Sequence, residues 1–396
     1  MSSLATEILL DPQSPDLVLR HPTLNECVKI WTNTSTSWMD SLTLPSYLKE
    51  SLFLTKVPLA RNDGMTTWIL VDKNLPADRR QILSSCESFR KRSLTSDSDG
   101  RVEDNIVHGI ASVFCSTEYR GRGYPVRMMR ELAKTLYTWQ TDKLSCAGSI
   151  LYSDIGKTYY SKLGWKPNDE NCHIEFKSCS VPRSSLVKEL LASDLEALCN
   201  RDEVLIRKTM ATPAKDTNLR VTIIPDLDHM GWHLAKEDFA CDHLFGKIAQ
   251  AKGAIAGSPG SQVWAIWTHR YYCHPHSGSS NNVLYILRLV IEVDETATRL
   301  PTYRQKKPTG EKYDEQLGLL RVVLQAAQSE ATEWKLDVVK LWNPTPLVQE
   351  MLTKTGLEYV RMEREEDSIA SGLWYDEMGG VRGVAPLWVN NEHYAW

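Results

Sequence analysis

The sequence predicts an α/β fold with mixed, mostly antiparallel sheets flanked by helices. Segments rich in β-branched and aromatic residues alternate with segments whose apolar residues recur at helical spacing. A composition of 42% hydrophobic and 24% charged residues is typical of a chain that folds along nearly all of its length. Because 396 residues exceed the size at which a single hydrophobic core keeps growing, we expect two domains.

The first half of the chain contains strands that form a meander, followed by alternating helices and strands. One strand and two helices are predicted at its start, from DLVLR, LNECVKIWTNTSTSW and LPSYLKESLFLTKV. The elements that follow are strands GMTTWILVDKN, RQILSSCESFRKR and IVHGIASVFC, helix VRMMRELAKTLYTW, strand CAGSILYS, short helix GKTYYSKLGW and strand HIEFK. The polar stretch LTSDSDGRVEDN is predicted to be an exposed connection between the second and third strands of this series.

The second half repeats part of that order. Helical material over 211–247 precedes two β-rich segments, and then come a long helix, a strand, a helix and a strand, as over 106–176. A tandem duplication would explain this, although the halves share element order without a common motif. Pro and Ser between the halves suit a linker. We therefore predict a first domain at 1–180, a connecting segment at 181–200 and a second domain at 201–396.

Composition excludes several classes of partner. A formal charge of −4 and a pI near 6.2 give no basic footprint for nucleic acid. Nine Cys without a C-x-x-C pair indicate reduced thiols and a cytoplasmic location. The N-terminus lacks a signal-peptide pattern, and the most apolar run, VLYILRLVIEV, is short and carries Arg288, so no membrane association is expected. The oligomeric state stays open.

The most informative stretch is the loop RGRGY, residues 120–124, between a β-rich segment and a helix. Helix N-termini offer unpaired N–H groups and a partial positive charge, and Gly121 and Gly123 let the backbone approach a phosphate group. Arg120 and Arg122 add charged donors. The loop therefore suits a pyrophosphate, while a plain strand-to-helix turn with solvated arginines is the alternative.

Two segments resemble motifs of the GNAT acetyltransferase superfamily. Arg120-x-x-Gly123-x resembles the R/Q-x-x-G-x-G/A phosphate loop, with Pro125 replacing the last Gly or Ala and removing one N–H. LYSDIGKTYYSKLGW resembles the superfamily's N-x-x-A-x-x-x-Y-x-x-x-G-F segment, with Ser153 at the Asn position and Tyr160 at the Tyr position. The resemblance implies a GNAT fold, with a second, degenerate GNAT-like domain that contributes to the substrate pocket.

The resemblance is closest to the fungal lysine acetyltransferase-like group, which acetylates the ε-amino group of free lysine. It extends over most of the chain and includes PTLNECVKIWTNTSTSW, LYSDIGKTYYSKLGW and IIPDLDHMGWHLAKEDF. It implies acetyl-CoA as co-substrate, no metal, and direct attack of a small amine on the thioester, so that Cys115 is not a nucleophile. The residues implied to bind the co-substrate are Phe114, Cys115, Arg120, Gly121, Arg122, Gly123, Tyr124 and Ser153.

Acid–base chemistry requires further residues. By the same resemblance, Tyr160 protonates the departing thiolate. A lysine ammonium with a pKa of about 10.4 is deprotonated in roughly one molecule in a few thousand at pH 7, a deficit of about 4.6 kcal/mol. A base must accept that proton. The candidates are His108, Glu87 or a water chain to either one.

Three other features are open to more than one interpretation. His229 and His233 have the spacing of a helical metal pair, but HMGWH lacks the Glu of H-E-x-x-H, so we predict no metal. Nearby carboxylates could attract a cationic substrate or form a solvated acidic surface; they are Asp226, Asp228, Glu237 and Asp238. The aromatic segment LWVNNEHYAW could dock into a groove. The rival functions are acetylation of another amine or binding of acetyl-CoA without turnover.

Overall fold

The computed structural model describes residues 9–277, 281–292 and 310–396. The helices are α1 Leu24–Trp38, α2 Leu44–Leu54, α3 Tyr124–Leu136, α4 Thr158–Ser161, α5 Leu195–Met210, α6 Leu227–Phe245, α7 Glu311–Glu333 and α8 Pro346–Thr355. The strands are β1 Leu17–Arg20, β2 Met65–Asp72, β3 Ser84–Asp97, β4 Val102–Phe114, β5 Ser145–Ser153, β6 Lys166–Pro167, β7 Cys172–Lys177, β8 Val187–Leu190, β9 Leu219–Ile223, β10 Gly253–Ala256, β11 Val263–Arg270, β12 Val283–Ile291, β13 Val338–Trp342, β14 Val360–Glu363, β15 Ile369–Trp374 and β16 Leu387–Trp388.

The first sheet has the order β1-β2-β3-β4-β5-β15-β6, with β9 added beside β3 and β16 beside β9. Most neighbours are antiparallel, whereas β4 and β5 are parallel and are joined through α3. The apolar face of α3 is completely buried at Met128, Met129 and Leu132, which pack with residues of the sheet. This burial fixes the start of α3 at the end of β4.

The second sheet has the order β14-β7-β13-β12-β11-β10-β8. In this sheet β12 and β13 are parallel, and α7 lies between them in the chain, as α3 does between β4 and β5. Leu320, Val323 and Ala327 of α7 are fully buried in the core of this half. The element order predicted from β11 to β14 is therefore present.

The two sheets exchange strands, which the predicted domain boundaries did not foresee. β7, placed by sequence in the first domain, pairs with β13 and β14 of the second sheet. β15, from the other half, pairs with β5 and β6 of the first sheet. The segment 181–200 holds β8 and the start of α5 instead of a free linker. Local composition cannot reveal these pairings, because each partner strand is distant in sequence.

Two local predictions were wrong because strand pairing with distant segments overrides the local composition. The polar stretch 94–105 is not an exposed connection, since Leu94 to Ser96 pair with β4 on one side and with β9 on the other. The helical segment predicted at 211–247 is interrupted by β9, and α6 starts only at Leu227, where Asp226 accepts a hydrogen bond from the His229 N–H at 3.1 Å. In both cases sheet pairing overrides local composition. No helix in the described ranges is long and apolar enough to cross a bilayer.

Candidate active site

The parallel strands β4 and β5 separate at one end of the first sheet. Their pairing ends at Ile110 opposite Leu151, although β4 continues to Phe114 and β5 to Ser153. A β-bulge in the pairing of β3 with β4 lies at the same level, and Ser112 within it has a φ of +53°. Bulges bend a strand and redirect its side chains. The result is a cleft between two strand ends.

A cavity of about 290 Å³ opens beside this bulge. One wall is formed by α1 and α2 through Trp31 and Tyr47, and another by α6 through Trp232 and Lys236. The capping box at the start of α1, in which the Thr23 hydroxyl accepts from the Glu26 N–H at 3.1 Å, fixes the position of the first wall. A cavity lined by aromatic and aliphatic side chains together with several polar and charged groups suits a small organic ligand.

Glu87 of β3 is the carboxylate beside the bulge. Its Oε2 atom accepts a hydrogen bond from the Ser112 hydroxyl at 2.9 Å. Burial raises the pKa of Glu87, while the Ser112 hydrogen bond and the positive charge of Lys236 partly oppose that rise. Lys236 is itself held by Glu50 at 2.7 Å. Glu87 therefore combines cavity access with increased basicity, as a general base requires.

Tyr160 of α4 lines the same cavity as Glu87. Its side chain is buried, and α4 is anchored by the Trp165 indole, which donates to the Ser149 hydroxyl at 3.1 Å. Burial, together with the neighbouring Tyr159, raises the pKa of Tyr160. The phenol is therefore protonated at neutral pH and can donate a proton.

His108 does not line this cavity. It lies in the paired part of β4, opposite Ser149, and its Nε2 atom is 3.0 Å from the Trp139 carbonyl. Burial lowers the pKa of His108 to about 4. Of the two side chains predicted as bases, only Glu87 is brought together with Tyr160.

The glycine-rich loop runs directly into α3, as the sequence indicates. Gly121 and Gly123 have φ values of +75° and +88°, and Gly123 is the N-cap of α3. The Arg127 N–H bonds back to the Gly123 carbonyl at 3.1 Å, whereas earlier amides of the first turn lack intrahelical partners. Arg122 is exposed. Tyr124 is buried and its hydroxyl donates to the Leu10 carbonyl at 2.7 Å, so its side chain anchors the segment that precedes β1.

The other predicted co-substrate residues shape the loop and its surroundings. The Phe114 carbonyl accepts from the Ser84 hydroxyl at 2.9 Å, and the Cys115 carbonyl accepts from Arg120 Nε at 2.9 Å. Burial raises the pKa of the Cys115 thiol. The Ser153 hydroxyl donates to the Gly156 carbonyl at 2.8 Å, within the turn that precedes α4. These carbonyls and hydroxyls already have protein partners, whereas the amides at the start of α3 remain available.

The acidic residues proposed near α6 have structural partners outside this cavity. Asp226 caps α6, and Glu237 bonds to Lys252 at 2.6 Å and to His269 at 2.8 Å. Asp238 also bonds to Lys252, at 2.6 Å, and Asp228 is exposed. The side chains of α6 that reach the cavity are instead the Trp232 and Lys236 pair described above, which sequence reasoning missed. The sequence does contain a signal for them, because Trp232 and Lys236 lie four residues apart within IIPDLDHMGWHLAKEDF and so share one face of a helix.

His229 and His233 do not face each other as a metal pair. His229 Nδ1 lies 2.7 Å from Asp226 Oδ1, and His233 Nε2 lies 3.3 Å from the Tyr394 carbonyl. Across residues 9–277, 281–292 and 310–396, no group of three or more His, Cys, Asp or Glu side chains is arranged to hold a metal ion.

Residues 393–396 pack between the two sheets and reach the cavity. The Tyr394 hydroxyl donates to the Ile223 carbonyl at 2.7 Å, and Lys91 Nζ donates to the Ala395 carbonyl at 3.1 Å. Ala395 and Trp396 both line the cavity. Burial lowers the pKa of Lys91 to about 8. The docking predicted for the aromatic segment therefore brings it into contact with the site.

The bulged β4, the β4–α3–β5 crossover that opens at its end, and the glycine-rich start of α3 define an N-acetyltransferase of the GNAT class. A family described as the LYC1 GNAT-like C-terminal domain matches residues 173–396, more than half of the chain. The chain belongs to this family.

Similar proteins include two fungal relatives. A Yarrowia lipolytica protein named lysine acetyltransferase is 22% identical over 275 residues, covering 59% of this chain and 67% of that protein. An uncharacterised protein of Saccharomyces cerevisiae is 23% identical over 414 residues, covering 93% of this chain and 95% of that protein. A crystal structure of a GCN5-related N-acetyltransferase from Kribbella flavida has 14% identity and a TM-score of 0.49, covering 94% of this chain and 74% of that one.

Proposed function

We propose that this N-acetyltransferase transfers the acetyl group of acetyl-CoA to the ε-amino group of free L-lysine. The observation that carries the proposal is that Glu87 and Tyr160 line one cavity at the point where β4 and β5 separate. The relative named lysine acetyltransferase suggests lysine as the acceptor.

The pyrophosphate of acetyl-CoA fits the start of α3. Amides without intrahelical partners, the positive φ of Gly121 and Gly123, and the exposed Arg122 supply donors and close backbone approach. Arg120 adds a cation beside the loop, although its Nε atom already bonds to the Cys115 carbonyl. From this loop, the gap between β4 and β5 leads towards the cavity.

The proposed reaction is a direct transfer. Glu87 accepts a proton from the lysine ammonium, and the neutral amine forms a C–N bond with the acetyl carbonyl carbon. The C–S bond then breaks, and Tyr160 gives its proton to the departing thiolate. The second proton of the attacking nitrogen passes to the Tyr160 phenolate, which leaves a neutral amide and a free thiol, and the proton on Glu87 returns to solvent. Lys236 and Arg270 also line the cavity, each paired with a carboxylate of the protein, Glu50 and Asp40 respectively.

The test is release of free CoA thiol by purified protein with L-lysine, L-ornithine, diamines, other amino acids and a lysine-rich peptide as acceptors. The proposal predicts that L-lysine gives the highest kcat/KM and that mass spectrometry finds acetylation on Nε. Preference for another amine would reject lysine but retain the reaction. Binding of acetyl-CoA without turnover on any acceptor would reject catalysis.

A further inference from the structure

A second cavity adjoins the one that holds Glu87 and Tyr160. It has a volume of about 620 Å³ and lies where the two sheets face each other. The two cavities share five lining residues, which are Trp38, Asp154, Lys236, Arg270 and Trp396. A ligand whose amine lies in the first cavity can therefore extend into the second.

Arg364, directly after β14, lines this second cavity and is only 8% exposed. Its guanidinium lies over the Trp342 ring, with Cζ 4.0 Å from the ring centroid. Nη1 donates to the Cys172 carbonyl at 3.2 Å. Nε and Nη2 have no hydrogen-bond partner within the described residues. A buried charge with unpaired donors is costly, so such a group points to a missing partner.

Fully buried Arg220 is held by backbone carbonyls and the Ser96 hydroxyl, but two other arginines with little exposure show how a carboxylate balances such a charge. Arg288 bonds to Asp202 at 2.7 Å and to Glu392 at 2.5 Å, and Arg270 bonds to Asp40 at 2.6 Å. Each of these guanidinium groups is therefore neutralised by a carboxylate of the protein.

Both carboxylates beside Arg364 in sequence are already engaged, and Glu365 pairs with Lys157 at 2.7 Å. Glu363 pairs with Arg361 at 2.9 Å. Burial lowers the pKa of Arg364 to about 10, which still leaves the guanidinium charged at neutral pH. Arg288 and Arg270 each have a protein carboxylate beside the guanidinium group. Beside Arg364, that position is left to a group from outside the protein.

We propose that Arg364 binds the α-carboxylate of the amino-acid acceptor and so selects lysine over amines that lack a carboxylate. A planar guanidinium with two free donors matches a carboxylate in a bidentate arrangement. Carboxylates of Asp154, Glu366 and Asp367 line the same cavity and attract the α-ammonium group. This inference rests on the proposed function, because it names the residue that binds the carboxylate end of the acceptor, opposite to the reacting amine.

The experiment compares L-lysine, L-lysinamide and 1,5-diaminopentane as acceptors for the wild type, Arg364→Met and Arg364→Lys. Arg101→Met is the control, since that side chain is exposed and lines neither cavity. We expect Arg364→Met to raise the KM for L-lysine by about 10- to 100-fold, the range for losing a buried charged pair. The KM for 1,5-diaminopentane should change by less than about twofold, as for an acceptor that makes no contact with Arg364. Arg364→Lys should recover part of the loss.

Equal losses for L-lysine and 1,5-diaminopentane in a variant that keeps the wild-type Tm would overturn the assignment. So would equal kcat/KM values for L-lysine and L-lysinamide in the wild type. If the wild type turns over none of the acceptors, the proposed function fails, and calorimetric titration of L-lysine and L-lysinamide into the wild type and Arg364→Lys then decides the role of Arg364 separately. Tighter binding of L-lysine than of L-lysinamide, weakened in the variant, supports it, and equal binding rejects it.

Discussion

The two sheets use the same local topology, but only the first opens into the candidate active site. Both contain an antiparallel pair with an irregular register, β3–β4 and β11–β12, followed by a helix and a parallel strand. In the first sheet, the end of β4 lines a cavity. In the second, β12 is buried along its whole length and does not line that cavity, although Tyr285 lines the adjoining one. Topology alone therefore does not make a site.

In the second sheet, other parts of the protein cover β12, as the surroundings of Arg288 show. This β12 residue is buried together with Asp202 of α5 and with Glu392, so α5 and the segment near the C-terminal end of the chain cover the strand. Trp264 and Leu287 complete the packing. The connections differ as well, because residues 115–123 join β4 to α3 whereas residues 292–310 separate β12 from α7. The first half keeps a short glycine-rich loop and an open strand end, which are the two features on which the proposed acetyl transfer depends.

Removing the proposed base should give the largest effect. Glu87→Gln keeps the size of the side chain and can still bond to Ser112, but it cannot accept the amine proton. We expect kcat to fall by about 100-fold or more, the usual contribution of a general base. CoA thiol release measures it, with Glu175→Gln of the second sheet as the control. An activity of Glu87→Gln equal to that of the control would exclude Glu87 as the base.

The pH profile should report the environment of Glu87. The base acts when ionised, so kcat/KM should fall as the pH drops through its pKa, and the raised pKa places this loss above the range of an ordinary glutamate. Removing the positive charge of Lys236 should move the loss to higher pH by about 0.5 to 1 unit. The variant is Lys236→Met, which leaves the carboxylate of Glu50 in place, and that negative charge acts on the pKa of Glu87 in the same direction as the loss of Lys236. A shift to lower pH would contradict the assignment.

The N-cap glycines of α3 and α7 test the comparison of the two halves directly. Gly123 and Gly310 have φ values of +88° and +84°. Replacement of Gly123 by Ala should lower the free energy of unfolding by about 1–2 kcal/mol, because its left-handed conformation disfavours a Cβ atom. Gly310→Ala should lower it by at least as much, because a ψ of −161° at positive φ is a conformation essentially restricted to glycine. Only Gly123→Ala should also raise the KM for acetyl-CoA, since only this loop is proposed to hold the pyrophosphate. Chemical denaturation and steady-state kinetics separate the two effects, and an equal rise in KM for Gly310→Ala would break the distinction.

His108 should give the smallest change in rate. Its side chain contacts the Trp139 carbonyl and lies outside the cavity, so His108→Gln should alter kcat by less than about threefold. Loss of the buried hydrogen bond should lower the free energy of unfolding by about 1 kcal/mol. A 100-fold loss of kcat with unchanged stability would instead restore His108 as a base.

The features that sequence predicted are those encoded within one continuous segment. The loop 120–124 starts a helix as expected, and Tyr160 lines the cavity because its whole motif forms one turn and one short helix. β15, Lys236 and Arg364 were missed because their partners lie in distant segments. The choice between His108 and Glu87 depended on the position of the bulge in β4, which no local pattern marks.

The central claim is that acetyl transfer occurs in the cavity shared by Glu87 and Tyr160. The most direct measurement compares wild type with Tyr160→Phe for both acetyl-CoA affinity and the rate of L-lysine acetylation. The account predicts equal affinity and a rate lowered by about 10- to 100-fold, because the thiolate loses its proton donor. Equal rates in the two proteins, whether high or at background, with acetyl-CoA bound by both, would contradict it.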